Sequence, residues 1–161
     1  MPYLAPWAKY LLYVWLAAVC LAASVSDVRS RRIPNKITYP TVLTLLAFHT
    51  VLGGLPGFYA SGLGLLAGLS VLFAPYALGK MGAGDVKLMG VVGAALGVTG
   101  VITAFLFTCL AGGVQGAYYL VRRYTAKDAA SDGKMCYGLA IAAGTVAAMI
   151  WNLAGKEFIR F

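Results

Sequence analysis

Stretches of apolar residues long enough to cross about 30 Å of hydrocarbon as helix recur along this 161-residue chain, and nearly all of its charge lies in the gaps between them. Lipid offers the backbone no hydrogen-bond partners, so a spanning segment is a helix or part of a closed barrel. A barrel strand alternates polar and apolar residues over about ten positions, whereas runs such as Gly62–Leu78 are continuously apolar. The chain is 61% hydrophobic and 11% charged, against roughly 25% charged in soluble domains, so lipid is the solvent for most of it. The expectation is an all-α membrane protein, a polytopic bundle of six transmembrane helices forming one membrane-embedded domain over residues 1–161.

The six spans are expected at about residues 9–27, 36–53, 58–79, 85–98, 100–121 and 137–154. The fourth covers only about 21 Å at 1.5 Å per residue, and is expected to start inside the protein. Arg29, Arg31, Arg32 and Lys36 follow the first span, Lys80 and Lys87 flank the start of the fourth, and Arg122, Arg123, Lys127 and Lys134 follow the fifth. The connections Gly53–Gly57 and Gly97–Gly100 carry no charge. The positive-inside rule therefore predicts a multi-pass inner-membrane protein with both termini outside and the basic loops in the cytoplasm. Lys9 is the only basic residue before the first apolar run, so that run reads as a retained helix rather than a cleaved signal.

The same placement of charge accounts for the net +8 without a nucleic-acid partner, because the basic residues flank apolar runs instead of forming a basic helix or aromatic platform. Cys20, Cys109 and Cys136 form no CxxC pair, so neither a metal site nor a disulfide framework is expected, and they read as packing residues. Gly64 and Gly68, Gly93 and Gly97, Gly112 and Gly116, and Ala140, Gly144 and Ala148 recur at helical spacing and predict close helix packing. His49 and the tryptophans read as packing or interface groups.

Five acidic residues exist, and Asp128, Asp132 and Glu157 fall in a polar loop or the C-terminal tail. Asp27 ends the first span and Asp85 begins the fourth, so the topology puts both at the cytoplasmic boundary. A carboxylate there is costly unless paired or hydrated, and marks a functional candidate. Two carboxyls in one site repel, so that one keeps its proton while the other ionises. Such a pair can activate water and donate to the developing oxyanion, general acid and base work without a metal or covalent intermediate. Gly82 and Gly84 would let peptide backbone approach Asp85. The residues alone leave another arrangement open: Asp27 as an ion pair with Arg29, Arg31 or Lys87, and Asp85 as a cap on its own helix. They also leave open a small transporter or ion pathway using paired buried acids, and a non-catalytic assembly partner.

The segments Asp27-Val28-Arg29-Ser30-Arg31-Arg32-Ile33-Pro34-Asn35 and Gly82-Ala83-Gly84-Asp85-Val86-Lys87 resemble the two signatures of type IV prepilin and preflagellin peptidases, membrane aspartyl proteases of the GxGD type. The resemblance implies that Asp27 and Asp85 are catalytic and that the substrate is a pilin-like precursor losing a basic leader peptide at the cytoplasmic face. It implies that Gly82 and Gly84 shape the site, and that Lys87, Arg29, Pro34 and Asn35 position the loop or the substrate. No cofactor is implied. Larger bacterial members carry an insertion with two CxxC pairs and methylate the new pilin N-terminus; the short Arg29–Lys36 connection has no such insertion and resembles the compact peptidases. A basic leader approaching basic loops is an electrostatic conflict, which the two acids or anionic membrane lipids would offset. The loop Arg122–Lys134 reads as a solvated connector.

Overall fold

The computed structural model describes residues 4–125 and 137–159. Lys127, Asp128, Asp132, Lys134 and Cys136, and with them most of the Arg122–Lys134 connector, lie outside the described residues. Among the described residues the fold is all-helical: α1 (Pro6–Ser30), α2 (Asn35–Ala77), α3 (Ala83–Thr125) and α4 (Tyr137–Leu153). Three of these helices are long and apolar enough to cross a membrane, and α4 is a shorter apolar helix.

Local chemistry sets the ends. Pro6 opens α1, where a missing N–H removes no helical hydrogen bond. Arg31 closes it in the left-handed region (φ 50°), its N–H donating to the Asp27 carbonyl at 2.8 Å. Pro34, extended at φ −72° and ψ 139°, leads into α2. Inside α2 and α3, Gly54 (φ 60°) and Gly97 (φ 71°) each leave helical geometry, and each adopts a backbone conformation open mainly to glycine.

Both breaks turn the chain back on itself. His49 Nε2 lies 3.2 Å from the Ala95 carbonyl, and Ser61 Oγ donates to the adjacent Ala94 carbonyl at 2.8 Å. A straight helix would hold positions 49 and 61 about 18 Å apart, so α2 folds over at Gly54. In α3, Gly112 neighbours Tyr137 and Ala140 at the start of α4, the helix whose Gly138 N–H donates to the Asp27 carboxylate at 3.1 Å. Asp85 faces that same carboxylate across one cavity. A straight α3 would separate Asp85 from Gly112 by about 40 Å, so it folds over at Gly97. The expected connections at Gly53–Gly57 and Gly97–Gly100 are thus compressed to single glycines, and Gly97 serves both as a turn and as part of the packing face, since a Cβ on Gly64 would meet its Cα at 2.8 Å.

The first half of α3 is the centre of the molecule. From Leu88 to Leu96 every residue is buried, and Leu88, Met89, Val91 and Val92 are fully enclosed. The second half of α2 lies directly against it. A Cβ on Gly64 would run into the Gly93 carbonyl, a Cβ on Gly93 into the Gly64 carbonyl, and one on Gly68 into the Met89 carbonyl. Gly144 of α4 meets Thr108 of α3 in the same way. With no hydrophobic drive between helices in lipid, such backbone approach supplies the dispersion contacts that hold a bundle together. His49 is enclosed, as the packing expectation had it, and Cys20 is buried, whereas Cys109 is exposed on the outer surface. That surface is apolar: Val51 is 82% and Val114 73% exposed, with Leu43, Phe73, Leu110 and Ile150 similarly open, a girdle suited to lipid rather than water.

Gly93→Leu is expected to destabilise the fold by about 1–3 kcal/mol or more through overpacking. Gly62→Leu, at a position with open space around it, is the control. Thermal unfolding in detergent should separate the two, with only the Gly93 variant losing midpoint temperature.

Candidate active site

Helix ends gather at one end of the bundle. The close of α1, the start of α2, the start of α3 and the start of α4 meet there, because the glycine turns send α2 and α3 back from the far end. Between them lies a cavity of about 280 Å³ lined by Asp27, Arg31, Arg32, Ile33, Asn35, the turn Gly82–Ala83–Gly84, Asp85 and Lys87.

Each acid is held by one backbone N–H. Asp27, 8% exposed, accepts from Gly138 at Oδ2. Asp85, equally buried, accepts from Gly82 N–H at Oδ2, 3.2 Å away, while its own N–H returns to the Gly82 carbonyl at 3.1 Å. This closes a turn that aims the carboxylate as α3 begins. Asp85 Oδ1 is buried without a hydrogen-bond partner among the described residues. The two carboxyls are near enough for the charge on Asp27 to act on Asp85. Among the described residues neither makes an ion pair with a basic side chain, so Asp27 is not bound to Arg29, Arg31 or Lys87.

The glycines before Asp85 act differently from one another. Gly82 is exposed on the cavity rim, and a Cβ there would sit 3.2 Å from Asp85 Oδ2. Gly84, half-buried on the cavity wall, also meets the segment after α1: a Cβ on it would lie 3.0 Å from Ile33 Cβ. Its missing side chain lets the segment after α1 dock on the start of α3, which brings Asp27 toward Asp85. Lys87 Nζ donates to Asn35 Oδ1 at 2.9 Å and lies 5.1 Å over the Tyr39 ring, a second link between the starts of α2 and α3.

Of the eight residues singled out from sequence, Asp27, Asp85, Gly82, Gly84, Lys87 and Asn35 line the cavity. Arg29 is exposed in the last turn of α1 and Pro34 caps α2, both outside it. Sequence reading gave no site role to Arg32, Ile33, Ser24 or Gly138, and used Arg31 only as a topology marker or ion-pair partner. Ser24 lies one turn before Asp27 and donates toward the Cys20 and Gly138 carbonyls at 2.8 and 3.1 Å. Nothing in the residue types of Ser24 and Gly138 signals their meeting, since they are far apart in the chain. No group of His, Cys, Asp or Glu among the described residues is arranged to hold a metal ion.

A helical bundle with an apolar outer surface and two carboxyls lining one cavity at one end defines a membrane protein with an acid pair. The type IV leader peptidase family matches residues 14–117, which include both acids, and the chain belongs to that family. It is 32% identical over 146 residues to the prepilin leader peptidase/N-methyltransferase of Bacillus subtilis (strain 168), a match covering 89% of this chain and 56% of that protein. The chain therefore spans little more than half the length of the curated relative it matches. No solved structure shows significant similarity to it.

Ile33→Cys with Gly84→Cys, in a chain whose native cysteines are replaced, is expected to cross-link on mild oxidation. The two Cβ positions lie 3.0 Å apart, so a parting of the segments by about 0.5 Å brings them to the spacing of about 3.5–4.5 Å that a disulfide uses. Mass spectrometry should find a peptide joining the two segments; its absence would contradict the docking of this loop on α3.

Proposed function

We propose that this chain is a leader peptidase for pilin-like precursors, working through an aspartic mechanism with Asp27 and Asp85 as its catalytic pair. The observation that carries the reading is that these two carboxyls, from separate helices, line one cavity, and among the described residues neither forms an ion pair with a basic side chain. One carboxyl carries a proton and the other is ionised; the ionised member draws a proton from water as that water attacks the scissile carbonyl. The neutral member donates to the forming oxyanion, and proton transfer to the leaving amine completes the cleavage. No cofactor takes part. The N–H groups of Gly138 and Gly82 each fix one carboxyl oxygen, Oδ2 in both acids.

The single peptidase domain crosses the inner membrane six times, counting each half of α2 and α3 as one crossing, with termini outside and the cavity at the cytoplasmic face. The basic segments after α1 and around α3 favour that orientation. Gly82, Gly84, Lys87, Asn35, Pro34 and Arg29 shape or position the loops that receive the substrate. A basic leader meets Arg31, Arg32 and Lys87 on the cavity wall, so anionic lipid headgroups act as the counter-charge that lets it approach.

Asp27→Asn and Asp85→Asn preserve shape and hydrogen bonding but cannot exchange the proton. Each is expected to lower cleavage of a purified pilin-like precursor by at least about 10²-fold, with unchanged membrane insertion. Mapping the new N-terminus by mass spectrometry reads the reaction, and normal processing by either variant would refute the assignment.

A further inference from the structure

We infer that Gly138 is a positioning residue for Asp27, so that the start of α4 sets the geometry of the acid pair. The inference rests on the aspartic reading proposed above. Two independent observations point to Gly138. Its N–H donates to Asp27 Oδ2 at 3.1 Å. A Cβ on it would stand 2.9 Å from that same oxygen and 3.2 and 3.3 Å from Asp27 Cβ and Cγ, tighter than ordinary contact. Any side chain there must push the Asp27 carboxyl aside or move the helix that supplies its hydrogen bond.

The grip is two-sided. Ser24 and Asp27 are one turn apart on the same face of α1, and both are buried. Ser24 Oγ reaches the Gly138 carbonyl at 3.1 Å while Asp27 takes the Gly138 N–H. One residue of α4 is thus held through both its backbone polar groups by adjacent turns of α1. No other backbone N–H is seen to fix the Asp27 carboxylate among the described residues, so its direction depends on where α4 begins. The charged groups around Asp27 are Asp85 and Lys87 from α3 and Arg31 and Arg32 from the segment after α1, all on the same cavity.

The test compares Gly138→Ala, Ser24→Ala and Gly113→Ala in the full-length protein, with Asp27→Asn as reference and a pilin-like precursor as substrate. Gly113 has open space about it, so its variant reports the effect of a methyl group alone. A displacement approaching 1 Å costs about 10²-fold in rate, so Gly138→Ala should lose on that order in kcat with KM nearly unchanged. Its pH–rate profile should also be displaced along the pH axis. Ser24→Ala, which adds no atoms, should move the profile in the same sense by a smaller amount, and carries the test if Gly138→Ala does not fold. Gly113→Ala should match the parent. A smaller population of folded enzyme lowers the amplitude but leaves the profile in place, so a reduced kcat with an unmoved profile would overturn the inference. Parental kinetics in both variants would overturn it too. Cleavage surviving Asp27→Asn would instead defeat the aspartic reading itself, and the two failures are therefore distinguishable.

Discussion

The near-contact of backbones at Gly64, Gly68 and Gly93 decides where everything else stands. It draws the second half of α2 onto the first half of α3 until carbonyl groups occupy the space that side chains would take. That half of α3 is short, and it is enclosed on all sides. A helix so surrounded keeps no freedom to slide, and Asp85 at its start is fixed relative to the other three helices as a result. The acid pair is a product of packing deep in the bundle as much as of the residues beside it.

At the site itself the arrangement is economical in polar groups. Each carboxyl has a single backbone donor, one from the turn before α3 and one from the start of α4. Neither has a cationic partner among the described residues, although Arg31, Arg32 and Lys87 border the same cavity. A bound cation would hold both acids ionised and remove the proton that acid–base chemistry needs. Lys87 is instead directed to Asn35 and the Tyr39 ring, where it ties two helix starts together.

Much of this was legible in the sequence because lipid imposes a simple rule: helices coincide with uncharged apolar runs, and the punctuation between them is charge, glycine and proline. Asp27 and Asp85 stood out for the same reason, as acids beside hydrocarbon. The topology put both at one membrane boundary, but nothing in a one-dimensional pattern records that the close of α1 and the start of α3 are neighbours there. Gly97 packs closely, as its spacing predicted, but its use as a turn was not legible, and neither was the docking of Ile33 on Gly84, because a missing side chain can serve clearance, packing or a turn, and only neighbours distinguish these. Ser24 and Gly138 left no trace, being common small residues whose importance lies in backbone groups that every residue shares.

The far turns have a consequence for how such a bundle can grow. Gly54 and Gly97 reverse the chain without spending a single loop residue, so at that end the helices are joined almost without slack. The connections after α1 and after α2 both lie beside the acids. Extra sequence inserted at either of these two connections would therefore stand beside the cavity, where its fold would decide how open that space is.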